Sequence, residues 1–110
     1  MSDPDRIRLR HMIDAATEAL SFVRGRQQSD LAGDRQFSLA VIKEIEIIGE
    51  AASKISIETR EQYPNVPWAA IVGMRNRLIH AYAEVDLEVI WAAVSVDLPD
   101  PLKTLKAILG

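Results

Sequence analysis

The chain has 110 residues, of which 48% are apolar and 26% charged, and its formal net charge at pH 7 is −3. This balance excludes a disordered chain and predicts one globular domain over residues 1–110, while the absence of cysteine excludes disulfides, thiol catalysis and thiolate metal sites. Neither a signal peptide nor an apolar run of roughly 18 residues is present, so we expect a soluble cytoplasmic protein. The acidic charge also argues against a protein that holds long nucleic acids by charge alone, so any such contact should be short and local.

The first half of the chain predicts two helices. Asp3 and Pro4 are typical of a helix start, with aspartate as the N-cap and proline at the first helical position. The apolar stripe of this helix ends before the glycines of segment 25–33 and consists of Leu9, Ile13, Ala16, Leu20 and Val23. Asp34 can cap a second helix.

The second helix is apolar on more than one side. Its main stripe consists of Val41, Ile45, Ile48, Ala52 and Ile55. Ala40, Ile47 and Ala51 form a second line beside the first. A helix of this kind is either central in a bundle or shared with a partner.

The second half predicts two more helices. The prolines of segment 63–67 interrupt the pattern, and Pro67 suits the first turn of a third helix that runs from about residue 68 to residue 82. Asp86 can cap a fourth helix, whose stripe consists of Leu87, Trp91, Val94, Leu98, Leu102, Leu105 and Leu109. This stripe passes through Pro99 and Pro101 in phase, which indicates a kinked helix or two helices in line. The sequence therefore predicts an all-α, antiparallel bundle of four or five helices.

The third helix carries a polar segment, Arg75-Asn76-Arg77-Leu78-Ile79-His80-Ala81-Tyr82, within an apolar stretch of sequence. It holds one of the two histidines and one of the two tyrosines of the chain. A fixed cation and a group that exchanges protons near neutral pH are what phosphodiester chemistry requires. A purely structural role is the alternative, in which Arg75 pairs with Glu46 or Glu50 and Tyr82 packs as a core aromatic.

A helical wheel separates these polar side chains. Arg75 and Tyr82, seven residues apart, fall near the middle of an apolar face, whereas Asn76 and His80 lie on another side with Arg77 nearby. The apolar face consists of Trp68, Ile71, Val72, Leu78 and Ile79. On a regular helix Arg75 and His80 point well apart, so only a long arginine or a helix that loosens near its end could bring them together.

No metal or cofactor is expected. Glu44, Glu46 and Glu50 share the second helix, but the Glu-x-x-His spacing of di-iron bundles is missing. His11 lies between arginines with no ligand pattern around it. Ion pairing and solvation account for these side chains.

Arg75, His80 and Tyr82 form the pattern Arg-x4-His-x-Tyr, which resembles the signature of the HepT-like toxins of the HEPN ribonuclease superfamily. Three further segments resemble the same family, namely Ile48-Gly49-Glu50-Ala51, Pro67-Trp68 and Val85-Asp86. The similarity therefore spans most of the chain and implies an all-helical fold.

The resemblance implies a metal-independent endoribonuclease that acts as a homodimer, with both motifs facing one composite cleft. His80 would be the general acid/base for attack of the ribose 2′-hydroxyl on the adjacent phosphate, and Arg75 would hold that phosphate. Asn76 would orient the phosphate or the histidine, and Arg77 could add a further phosphate contact.

The resemblance also implies a partner, a minimal nucleotidyltransferase antitoxin that can transfer AMP to the motif tyrosine, here Tyr82. The sequence thus favours a toxin that cleaves RNA and is neutralised by this antitoxin. The alternative is a non-catalytic helical module that binds the nucleotidyltransferase or a nucleotide.

Overall fold

A computed structural model of the chain describes residues 1–84 and 86–109, so Val85, one of the residues that resemble the family, lies outside the described part. The described residues form seven α-helices and one π-helical turn, with no strand: α1 (Asp3–Val23), α2 (Ser29–Gly33), α3 (Arg35–Ser53), α4 (Ile57–Gln62), α5 (Trp68–Ala83), α6 (Leu87–Ala92), the π turn (Ala93–Asp97) and α7 (Pro99–Leu109). The predicted all-α bundle is confirmed. Within the same residues, no helix is both long enough and apolar enough to cross a lipid bilayer.

The antiparallel pair of α1 and α3 forms the centre of the bundle. Asp5, near the start of α1, contacts Ser56 just beyond the end of α3, whereas Glu18, near the end of α1, lies beside Glu44. α3 also packs against α2 and α5. This central position accounts for the two apolar lines of α3 that the sequence shows.

The helix starts agree with the sequence at α3 and α6 and differ at α1. Asp34 and Asp86 each accept a hydrogen bond from the backbone N–H three residues further on. The N-cap of α1 is Ser2 rather than the predicted Asp3, because the Ser2 hydroxyl accepts the backbone N–H of Asp5 at 3.2 Å. Asp3 lies in the first turn, where a carboxylate is also favourable.

The predicted fourth helix is divided into α6, the π turn and α7, in line with one another along the chain. Pro99 begins α7, at a position where the missing N–H of proline does no harm. The π turn shifts the phase of the stripe, so Ile90 is fully buried while Leu87 and Trp91 are only partly buried. Further along, Val94, Leu98 and Leu102 are buried as predicted.

The short helix α4 is attached to α1 by a buried polar cluster. The Asp5 carboxylate accepts hydrogen bonds from the Ser56 backbone N–H at 3.1 Å, from the Ser56 hydroxyl at 2.5 Å and from the Thr59 hydroxyl at 2.7 Å. Burial by itself raises the pKa of Asp5, but the hydrogen bonds from Ser56 and Thr59 outweigh it and hold the pKa below its ordinary value. The cluster therefore fixes the end of α3 and the start of α4 against α1.

Candidate functional site

The start of α5 is anchored by Trp68. Its indole N–H donates to the backbone oxygen of Tyr63 at 3.0 Å, and its ring is buried in the core. Pro67 immediately precedes the helix, where it removes no helical hydrogen bond. The position of the motif-bearing helix is therefore set at its first residue.

The buried face of α5 differs from the one that the helical wheel predicts. It consists of Trp68, Ile71, Met74, Leu78 and Ala81. Ile79 is 48% exposed and Tyr82 is 41% exposed, so the line through Arg75, Ile79 and Tyr82 lies at the edge of this face rather than at its middle. The wheel treats all apolar residues alike, whereas the directions of α3 and α6 decide which of them are covered.

Arg75 is held against α3 by a glycine and a carboxylate. A Cβ on Gly49 would lie 2.6 Å from the Cβ of Arg75, so the two helices approach this closely only because residue 49 has no side chain. The Arg75 guanidinium donates through Nη1 to Glu50 Oε2 at 2.9 Å, and Lys54 pairs with the other oxygen of Glu50 at 3.1 Å. Of the two partners that the sequence offers, Glu50 is confirmed, and Glu46 instead faces Lys43.

The charge on Glu50 is stabilised by its neighbours. The hydrogen bond from Lys54, the Lys54 charge and the Arg75 charge all lower the pKa of Glu50. Glu50 therefore remains a carboxylate at neutral pH. One of its oxygens fixes the guanidinium of Arg75, whose side chain is 38% exposed, and the guanidinium keeps further N–H donors that are not used by Glu50.

The remaining motif side chains lie on the open side of α5. Asn76, Arg77 and His80 are exposed, and among residues 1–84 and 86–109 their side chains form no hydrogen bond or ion pair. α5 stays helical to Ala83, so it does not loosen after Ile79 in the way that would bring Arg75 towards His80. On a regular helix these two side chains point about 140° apart. The structure therefore does not bring Arg75 and His80 together within the chain.

A groove that the sequence did not indicate lies beside Arg75. It is bounded by α1, α3 and α5, and its volume is about 710 Å³. Arg8 and His11 of α1, Lys43 and Lys54 on the α3 side and Arg75 of α5 all line it, whereas His80 does not. Only the packing of α1 and α5 on α3 brings these side chains together. In the described part of the chain, no group of three histidine or carboxylate side chains is arranged to hold a metal ion.

Comparisons with known proteins agree on one family. The model of the family described as "Ribonuclease HepT-like" matches residues 12–108. The chain is 34% identical over 97 residues to a protein of Methanocaldococcus jannaschii named "Putative RNase", covering 88% of this chain and 89% of that one. A "Putative RNase" of Caldanaerobacter subterraneus is 35% identical over 101 residues, covering 92% and 90%. A "Probable ribonuclease HepT" of Thermococcus cleftensis is 41% identical over 70 residues, 64% of each chain. No solved structure matches the chain.

Proposed function

Because the chain belongs to the ribonuclease HepT-like family, as its motif predicts, we propose that it is a metal-independent endoribonuclease and the toxin of a toxin–antitoxin pair. The observation that carries the proposal is the exposed polar side of α5. Its side chains are held on a regular helix and, among the described residues, are not engaged in internal hydrogen bonds or ion pairs. Polar groups in this state are available to a substrate.

In the proposed reaction His80 removes the proton of a ribose 2′-hydroxyl. The 2′-oxygen then attacks the adjacent phosphorus, and the bond to the 5′-oxygen of the next nucleotide breaks. That leaving oxygen takes up the proton that His80 removed, which returns the histidine to its starting state, and a 2′,3′-cyclic phosphate remains on the upstream fragment. Arg75 binds the phosphate through N–H donors that Glu50 leaves free and stabilises the negative charge of the transition state. Asn76 and Arg77 supply further contacts to the phosphate oxygens.

We further propose that the active form is a homodimer with a composite site. Arg75 and His80 point about 140° apart around α5, so a site that uses both takes them from two protomers. Ile79 lies between them around the helix, and its exposed side chain together with Tyr82 offers apolar surface for a second copy. Pairing two motifs also concentrates Arg75 and Arg77 of both subunits, which gives an acidic chain a local site for RNA.

The proposed antitoxin is a minimal nucleotidyltransferase that transfers AMP to Tyr82. In this transfer the phenol oxygen attacks the α-phosphorus of ATP and pyrophosphate leaves. Tyr82 is 41% exposed and lies two turns beyond Arg75 on nearly the same line, about 10 Å along the axis. An attached adenylate would bring bulk and negative charge to the phosphate site. Both ATP and RNA are available in the cytoplasm, where we place this regulation.

Cleavage of RNA by the purified protein in the presence of EDTA tests the proposed activity. Wild type should cleave, and His80→Ala and Arg75→Ala should each lose about 10²–10⁴-fold in rate while remaining folded. Arg24→Ala is the matched control, since Arg24 is an exposed arginine in the loop after α1. Absence of cleavage by wild type would favour the non-catalytic binding module, and full activity of a folded His80→Ala protein would remove the role given to this histidine.

Intact-mass analysis after co-expression with the nucleotidyltransferase tests the regulation. Wild type should gain the mass of AMP, and Tyr82→Phe should not. Tyr82→Phe should keep most of the cleavage activity, because no proton transfer is assigned to the hydroxyl. Adducts that persist on the Tyr82→Phe protein, or that map to Tyr63, would contradict this assignment.

A further inference from the structure

The groove beside Arg75 has a charge opposite to that of the whole chain. Four of its side chains are fixed cations (Arg8, Lys43, Lys54 and Arg75) and two are carboxylates (Glu46 and Glu50). The groove therefore carries a net positive charge, on a chain whose net charge is −3. Such a local reversal of sign attracts an anion to this surface rather than to the rest of the molecule.

The cations of the groove are spread along one side of α3. Lys43 lies on α3 and Lys54 just after its last residue, about 16 Å apart along the helix axis, and Glu50, the partner of Arg75, lies between them. The side chains of Lys43 and Lys54 are 69% and 57% exposed, and both pair with carboxylates at the surface. Surface ion pairs of this kind contribute little to stability, so the ammonium groups can exchange them for phosphates.

Apolar side chains form the other part of the groove. Ile7 of α1 and Ile47 of α3 line it, and Ile7 is exposed to solvent. Aliphatic groups beside cations suit a strand with charged phosphates and flat, weakly polar base faces. Aliphatic side chains do not read base edges, so recognition here would not depend on sequence.

We propose that this groove binds the RNA strand next to the cut, with Lys43 and Lys54 contacting phosphates on either side of the one that Arg75 holds. This inference rests on the proposed function and names its substrate more closely, as a single strand several nucleotides long. Arg75 lines the groove, so a strand engaged by Arg75 can continue along α3 of the same protomer. These contacts are to the sugar–phosphate backbone of the RNA. Any preference for a base sequence therefore comes from other parts of the site.

The salt dependence of RNA binding tests the groove without relying on catalysis. The probe is a fluorescently labelled single-stranded RNA of about ten nucleotides, within the range that single-strand binding sites cover. It is titrated with the His80→Ala protein, with and without the further changes Lys43→Ala and Lys54→Ala. The matched control carries Lys103→Ala and Lys106→Ala, which remove the same charge from exposed positions on α7.

Removing the two groove lysines should weaken binding and reduce the slope of log affinity against log salt by about 0.7 for each lysine. The α7 control should keep the slope of its parent. Equal slopes for the groove variant and the control would overturn the proposal. Loss of the dimer in light scattering, with RNA affinity unchanged, would also overturn it, because a second copy would then occupy the groove.

The two proposals fail separately. If wild type cleaves RNA but the groove lysines behave like the α7 lysines, the groove proposal falls and the ribonuclease stands. If wild type cleaves no RNA but the salt slope of the groove variant falls by the predicted amount, the chain is an RNA-binding module that uses this surface. The ribonuclease proposal then falls.

Discussion

Two polar regions of the bundle are constructed in opposite ways. Around Asp5, the hydroxyls of Ser56 and Thr59 donate to a buried carboxylate, so the polar groups satisfy one another inside the protein. On α5, Asn76 and His80 are exposed and, within the described residues, have no internal partner. The first arrangement stabilises the fold, and the second leaves hydrogen-bonding capacity free for a ligand. The comparison shows where the fold leaves polar groups unused, and the proposed site residues Asn76 and His80 lie there, whereas Arg75 is shared between Glu50 and the proposed phosphate.

Replacing Asp5 by alanine should have the largest effect on stability. It removes three hydrogen bonds to a charged group and leaves two hydroxyls in a buried site, so the free energy of unfolding should fall by about 2–4 kcal/mol. Asp14→Ala, at an exposed position of the same helix, should change the free energy of unfolding by less than about 0.5 kcal/mol. His80→Ala should also change it by less than about 0.5 kcal/mol. Urea unfolding followed by circular dichroism measures all three. An unfolding energy of Asp5→Ala equal to that of the control would contradict a structural role for the cluster.

Glu44 is intermediate between the Asp5 cluster and the exposed side of α5. The pH dependence of its contribution to stability sharpens the comparison. Glu44 is buried, and its Oε2 has no hydrogen-bond partner among residues 1–84 and 86–109. Burial, and then the charge and hydrogen bond of Glu18, raise the pKa of Glu44 from 4.5 to about 7. The folded state therefore binds this proton more tightly than the unfolded state, so the stabilisation is complete below pH 4.5 and is lost as the pH rises through about 7.

Glu44→Gln should remove this pH dependence. Wild type should lose roughly 2–3 kcal/mol of unfolding free energy between about pH 5 and about pH 8, and the glutamine variant should lose much less. Glu61→Gln, which changes an exposed carboxylate of α4, should keep the wild-type dependence. Denaturant titrations at the two pH values provide the measurement, and parallel curves for Glu44→Gln and wild type would show that Glu44 is not the group responsible.

The smallest of these effects is expected at the contact between α3 and α5. Gly49→Ala places a Cβ 2.6 Å from the Cβ of Arg75, so α5 must move away from α3. The crowding outweighs the helix propensity gained by alanine, and the net loss should be about 1–2 kcal/mol, with reduced RNA cleavage because Arg75 is displaced. Gly73→Ala is the control, since a Cβ at that position meets no atom within 4 Å. It should be neutral or stabilising by about 0.5–1 kcal/mol.

Most features that depend on neighbouring residues in the sequence were predicted well, although the N-cap of α1 is Ser2 and not the predicted Asp3. The caps at Asp34 and Asp86 and the span of α5 follow from local turn chemistry and helical spacing. The pairing of Arg75 with Glu50 was one of two alternatives, because both Glu46 and Glu50 lie one turn apart on a single helix. The family was predicted because the spacing of its motif is itself a local feature.

Features that depend on how the helices pack were not predicted. Asp5 and Ser56 are 51 residues apart, so the sequence around either residue does not indicate their contact. A helical wheel holds no information on where α3 and α6 pack against α5. It therefore did not identify Met74 as buried and Ile79 as exposed. The groove has the same origin, because it exists only where α1 crosses beside α3 and α5.

The central claim, a site composed of Arg75 and His80 from two protomers, is tested most directly by mixing two inactive proteins. Arg75→Ala and His80→Ala are unfolded and refolded together, and native mass spectrometry verifies that mixed dimers form. Half of randomly assembled dimers are mixed, and each holds one site with an intact arginine and an intact histidine, so cleavage should return to about a quarter of wild type. Mixed dimers that remain as inactive as the two parent variants would contradict the composite site.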